Sequence, residues 1–425
     1  MSRPARIVLT TFGSYGDVLP YLSIGRRLRS SGHEVVLAAP AVYRDLAESA
    51  GLEFAPVRPD IDLGDADMFR RVMDPRRGTE VIVREILAPC LRESYHDLES
   101  ACDQADLLVS HVLTYAAPIL GERTGLPWMA SVLSPMVFCS AWDPPALAPL
   151  PSLAKLRWLG PRVTGFVMGG LKRMARKWSE PMRSFRKELG LNADQDPMWE
   201  GQFSPHGNVA LFSGAFAEAQ PDWPQHTTIC GFPFHDEDFG GDPDRDKVEA
   251  FLEAGPPPVV CTLGSSGGHA AGPFYEHAAQ AVRALDRRAV LVFADAAPPE
   301  DVSRDVLAVR STSFTRLFEA SCAVVHMGGI GTMSQALRAG CPQLIVPFSH
   351  DQFDNALRVT RLELGGSVSR RRLTVRKIER GLRRILESSS IKDHVEACAL
   401  RISAEDGAGA ACAAIERVIA GHRDS

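Results

Sequence analysis

The stretch CAVVHMGGIGTMSQALRAG, residues 322–340, decides how this chain is read. CAVVH is an apolar run of β-forming residues, a helical pattern opens at Thr332 and runs to Leu337, and Gly328, Gly329 and Gly331 stand between them. Glycines at such a turn let the backbone approach a ligand with no Cβ in the way. A helix N-terminus adds unpaired amides and about half a positive charge, so an anion such as phosphate is held there. Thr332 adds a hydroxyl, and His326 an imidazole at the strand end. The competing reading is an ordinary glycine-rich turn over a core histidine. No Lys follows in Walker fashion and no G-x-G-x-x-G opens the first βα turn, which disfavours a P-loop ATPase and a nicotinamide enzyme.

Outward from this turn, the second half of the chain repeats strand, loop and helix: PVVCTLGSS, AVLVFAD, VLAVRS, CAVVHMGG and PQLIVPF. The first half does the same with RIVLTTF, EVVLAAP, EFAPV, ADLLVSHVL and PWMASVLS. Val18, Tyr21, Gly25 and Leu28 share one face of the first helix. Strands separated by helical patterns imply parallel sheets, and ligands of such sheets lie at the carboxyl ends of the strands. The segment between the halves is rich in Pro, Gly and Asp, as a connection should be. The expected division is a first domain over 1–220, a linker over 221–248, a second domain over 249–407 and a terminal helix over 408–425.

At 425 residues the chain is long for one core. A net charge of −5 argues against a nucleic-acid binder, which carries a basic excess. Nine cysteines, odd in number and without a C-x-x-C pair, fit a reducing compartment better than a disulfide or metal framework. A strand pattern begins almost at Met1, leaving no room for a signal peptide, and no apolar run reaches the roughly 18 residues of a membrane span. The expected location is the cytoplasm.

Further residues point to one kind of ligand. SHDQFDNA follows the strand PQLIVPF, and Asp351 and Gln352 suit vicinal hydroxyls. Asp351 can equally cap the helix that follows. Ser265, after VVCTLG, can meet a second phosphate oxygen. A phosphate grip beside a hydroxyl grip describes a sugar nucleotide.

HMGGIGTMSQALRAGCPQLIVPFSHDQFDNA resembles the donor signature of family 1 glycosyltransferases of the bacterial branch, H-x-G-G-x-G-T followed by D-Q. TTFGSYGDVLPYLSIGRRLRSSGHEV is similar to the G-S-x-G-D-x-x-P opening of that family, and DWPQHTTICGFPFHD matches its segment before the linker. DQFDN and GGIG-x-MS resemble the rhamnolipid-type rhamnosyltransferases in particular. The resemblance implies an α/β GT-B fold of two Rossmann-like domains across a cleft, and inverting, metal-independent transfer of a hexose from a UDP- or dTDP-sugar to a hydroxyl of a lipophilic acceptor. It implies that His326, Gly328, Gly329, Gly331, Thr332 and Ser265 hold the diphosphate and that Asp351 and Gln352 hold the sugar. Asp17 stands where many members carry a histidine base, so it would take the acceptor's proton; a helix cap is its plainer role. His111 is a second, weaker acceptor-side residue. The base-stacking aromatic of many members is not evident, so the nucleobase stays open. DID, DAD and DPD match the D-x-D of metal-using enzymes but lie in loop-like stretches, and no metal or other cofactor is expected.

Residues 153–178 carry Lys155, Arg157, Arg162, Lys172, Arg173, Arg176 and Lys177 with no acid, interleaved with Trp and aliphatics. Such a segment suits a lipophilic acceptor, a hydroxy fatty acid or a natural-product aglycone, and peripheral membrane contact is one reading. The alternatives are a sugar-nucleotide 2-epimerase of the same fold and a catalytically silent partner protein.

Overall fold

The computed structural model describes residues 4–62, 64–235, 242–265, 267–294, 296 and 303–423. The first half folds into a seven-stranded parallel sheet. Its strands are β1 Arg6–Thr10, β2 Glu34–Ala39, β3 Glu53–Pro56, β4 Leu107–His111, β5 Trp128–Val132, β6 Asn208–Ala210 and β7 Thr227–Ile229, in the order β3-β2-β1-β4-β5-β6-β7. The second half forms a six-stranded parallel sheet of β8 Val259–Thr262, β9 Ala289–Val292, β10 Val306–Val309, β11 Ala323–His326, β12 Gln343–Ile345 and β13 Gly365–Ser367. Its order is β10-β9-β8-β11-β12-β13. The strands read as continuous apolar runs because helices cover both faces of each sheet. β1, β4, β8 and β11 are buried almost end to end.

In both sheets the winding reverses at the centre, between β1 and β4 in one and between β8 and β11 in the other. The crevice at such a reversal is where open α/β sheets take ligands. All the glycine loops and strand-end histidines singled out above lie at these two points.

Three departures from the sequence reading concern short elements. β6, β7 and β13 have only three residues each, too few for a visible pattern. β7 lies inside the segment expected to be linker, and the helix Arg245–Glu253 begins there too, so the true connection is shorter. The helix of the opening stretch starts at Ile330, two residues early, because Gly329 serves as its N-cap.

The terminal helix Gly407–Arg423 crosses back to the first domain, where Ala411, Ile415 and Ile419 join the core of Ile7, Leu9 and Leu28. Ile330 packs against the cores of both domains, so the helix it opens stands at their junction.

Candidate active site

The glycine turn after β11 is built from beneath by His326. This ring has no exposed surface. It is hydrogen-bonded to Gln343 Oε1 through Nε2 (2.8 Å), while its Nδ1 accepts the Gly328 amide (3.1 Å). Those partners assign the neutral Nε2–H tautomer. Burial pulls the ring's pKa down to about 4, against the opposing bond to Gln343. This corrects one expectation: with both nitrogens engaged under the turn, His326 shapes the loop and does not point a donor out of it.

Gly328 has φ +93°, and a Cβ there would stand 2.7 Å from Ile345 Cγ2. Asn355 Nδ2 donates to the Gly328 carbonyl (2.9 Å) and to Asp351 Oδ2 (2.8 Å), tying the turn to the SHDQ loop. The helix Ile330–Arg338 then begins with the Ile330, Gly331 and Thr332 amides, which as first-turn donors have no intrahelical partner. Gly331 looks across the cleft: a Cβ on it would lie 3.5 Å from Gly16 Cα of the first domain. Thr332 Oγ1 is 3.3 Å from the Cβ position of Gly264, which places the Ser265 turn beside the same helix end. Ser265 is exposed. Met327 Cε lies 3.8 Å from the Cβ positions of Gly264 and Gly329, so its thioether fills the space between the two loops.

Asp351 and Gln352 open the helix Gln352–Arg361. Gln352 is buried, and its Oε1 accepts the Phe348 amide (2.8 Å) and the Ser349 amide (3.1 Å). Asp351 keeps some exposed surface but lies deep in the cleft. Desolvation raises its carboxyl to about 7, the Asn355 bond opposes this, and the charge of Asp17 adds to it. Asp351 makes no side-chain capping bond.

Across the cleft, Asp17 is the third residue of the helix Tyr15–Ser30, and its Oδ2 accepts the Ser14 amide (2.7 Å) and hydroxyl (3.0 Å). That is the reciprocal half of a capping box. Gly13, at φ +137°, leaves room for the carboxylate, since a Cβ there would meet Asp17 Oδ2 at 2.3 Å. Asp17 also acts electrostatically on His111, His350 and Asp351, two of them on the other domain, so the cap faces the cleft. His111 ends β4 buried, with Nδ1 unpartnered, and burial lowers its pKa while Asp17 raises it.

Two features escaped the sequence reading. His350 lies at φ +51°, with Nδ1 3.3 Å from Thr79 Oγ1 of the first domain. Phe69, on the helix Ala66–Val72, packs on His269 at 5.6 Å between ring centroids. The segment 66–81 thus roofs the second domain's loops. Only the quoted position of His350 beside Asp351 could have flagged it. The acidic pairs do local work: Asp65 caps the helix Ala66–Val72, Asp242 binds Thr312, and Asp244 pairs with Lys247.

A family model for the glycosyltransferase family 28 N-terminal domain matches residues 7–137, and one for the erythromycin biosynthesis protein CIII-like C-terminal domain matches residues 277–414. O-mycaminosyltylonolide 6-deoxyallosyltransferase of Streptomyces fradiae is 32% identical over 97% of this chain and 97% of its own. The chain belongs to the GT-B glycosyltransferases of natural-product type. The glycosyltransferase of kitacinnamycin superposes with a TM-score of 0.74 over 98% of this chain and all of its own, at 19% identity. The glycosyltransferase VinC, solved with dTDP, does so at 0.65 over 97% of this chain and 99% of its own, at 21%. At such identities these likenesses speak for the fold. They agree with two parallel-sheet domains facing one cleft. In this glycosyltransferase the cleft brings the Gly328–Thr332 turn, Ser265, Asp351 and Gln352 from one domain to Asp17 and His111 from the other.

Proposed function

We propose that this glycosyltransferase moves a hexose from a UDP- or dTDP-sugar to a hydroxyl of a lipophilic natural-product aglycone, with inversion and without a metal or other cofactor. The observation that carries the reading is the row of amides at Ile330, Gly331 and Thr332 with no intrahelical partner, opening opposite the helix start that holds Asp17. In this reading those amides, Thr332 Oγ1 and Ser265 stabilise the departing diphosphate in place of a divalent ion. Asp351 orients the sugar hydroxyls; Gln352, whose Oε1 is held by the Phe348 and Ser349 amides, has only its Nε2 to offer them. His326 is a positioning residue, keeping Gly328 and its neighbours in shape. The Asp17 carboxylate takes the acceptor hydroxyl's proton as the oxygen attacks the anomeric carbon and the C1–O bond to the diphosphate breaks on the opposite face. His111 stands at the acceptor side.

The macrolide-type name of the Streptomyces relative supports a polyketide-like aglycone. A hydroxy fatty acid of the rhamnolipid type is the second reading, favoured by the basic side chains of 155–177 as partners for its carboxylate. Nine free cysteines support a cytoplasmic site of action.

The test is a thermal-shift panel of UDP- and dTDP-sugars with EDTA present. A donor that binds the folded state at a hundred times its Kd adds about 2.7 kcal/mol of stability. Donor-selective stabilisation and turnover in EDTA are expected. Stabilisation by no donor would turn the assignment toward a silent partner protein.

A further inference from the structure

We infer that the hairpin face of residues 142–177 docks on a membrane surface carrying anionic lipid. Ten large apolar side chains are exposed among the described residues, and seven of them fall within residues 142–174. Phe166 at 85% and Trp158 at 81% are the most exposed of all. Such clustering on one element marks an interaction site, whereas scattered singles would need no explanation.

The geometry makes this a face. The 3-10 segment Pro151–Leu159 packs against the helix Pro161–Ala175. Thr164 and Met168 are the buried side of that helix, Met168 sharing a small core with Cys139 and Leu153. Arg162, Phe166 and Arg173 run along the opposite side, with Val163, Gly170 and Met174 beside them. No acidic residue occurs from 144 to 179, while seven Lys and Arg fall between 155 and 177; Arg157 and Lys172 pair with Asp143 and Glu200, which leaves five for headgroups. Aromatic and aliphatic tips among basic side chains suit the boundary between headgroups and acyl chains, with the charges on anionic headgroups.

The face also adjoins the cleft. Gly165 packs on Ala141, with 3.4 Å from its Cβ position to Ala141 Cβ, and Asp143 two residues on reaches the second domain. A membrane-dissolved acceptor would therefore arrive beside the cleft. Lipid binding needs no sugar donor and stands independently of the transfer reading.

The experiment pellets the full-length protein with phosphatidylcholine vesicles, with and without phosphatidylglycerol, in the absence of sugar nucleotide. Binding only to vesicles with phosphatidylglycerol, weakened by salt, is expected. A Trp158→Ser/Phe166→Ser variant should lose about tenfold or more in partitioning, as removal of two rings that would enter the bilayer implies. Its melting temperature and turnover of a water-soluble acceptor should match wild type, because both side chains lie in solvent. No pelleting with phosphatidylglycerol, or pelleting that the double variant retains, overturns the proposal. So does a solution dimer that the same variant dissociates, because a second copy of the chain would then cover the face.

Discussion

Asp143 of the first domain and Arg358 of the second form an ion pair across the domain boundary, Oδ2 to Nη1 2.6 Å, with both side chains buried. Arg361 Nη1 reaches the other oxygen at 2.7 Å. Arg358 Nε also donates to Asp354 Oδ2 (2.7 Å), and Asp354 Oδ1 accepts the Ala146 amide from the first domain (3.0 Å). The helix opened by Asp351 and Gln352 is thus bolted to the loop that carries the hairpin. Burial alone would raise the Asp143 carboxyl, but the Arg361 bond and the two guanidinium charges outweigh it and bring it to about 2.

Removing one partner strands the other charge in a buried site. Asp143→Ala should cost about 3–5 kcal/mol in urea unfolding and raise the donor KM. With its folded pKa below the unfolded value, Asp143 contributes stability above that value and loses it as pH falls toward about 2. The variant should lack this part of the acid profile. Unchanged stability and KM would show that the pair is incidental.

Asp17→Asn keeps an oxygen for the Ser14 bonds, so the helix start should hold and donor-induced stabilisation should persist. Loss of the proton acceptor should lower kcat by about 10²–10⁴. Wild-type turnover in this variant would leave Asp17 as a cap alone.

His326→Ala leaves the Gly328 amide and Gln343 Oε1 without partners beside a cavity. A loss of about 2–4 kcal/mol is expected by denaturant titration, with weakened nucleotide binding because the turn relaxes. Wild-type His326, neutral when folded, supplies stability above its unfolded pKa that is lost as pH falls toward about 4. Full nucleotide affinity in the variant would refute the positioning role.

Asp351 gives the opposite pH sign. Its folded pKa near 7 exceeds the unfolded value, so protonation favours the fold and its contribution fades as pH rises from about 4 through about 7. Asp351→Asn should gain stability relative to wild type over that window. In the wild type, donor affinity should strengthen as pH rises through about 7, where the carboxylate becomes the better acceptor for sugar hydroxyls. A flat donor-affinity profile across that range would remove Asp351 from sugar binding.

The two sheets, the Gly328–Gly331 turn and the pairing of Asp351 with a helix start were legible in the chain because each is written within some twenty neighbouring residues. Apolar strand runs, glycine at the turn and a helix pattern after it are local signals, and the reversal points of the sheets carry them to one cleft. The three-residue strands β6, β7 and β13 were not legible, since pairing with neighbours and not pattern makes them strands. The orientation of His326 was also beyond the sequence. Its bond to Gln343 depends on how the β11 and β12 strands register, and with the local bond from the Gly328 amide it turned an expected ligand contact into a support under the loop. Asp17 kept both readings, cap and cleft carboxylate, because the capping box uses only one of its oxygens. The Asp143–Arg358 pair joins residues 215 positions apart, so no local pattern could announce it. Sequence by itself determined which backbone can come close to an anion; only the packing of two domains decided which side chains face the cleft, because burial and partners belong to the folded whole.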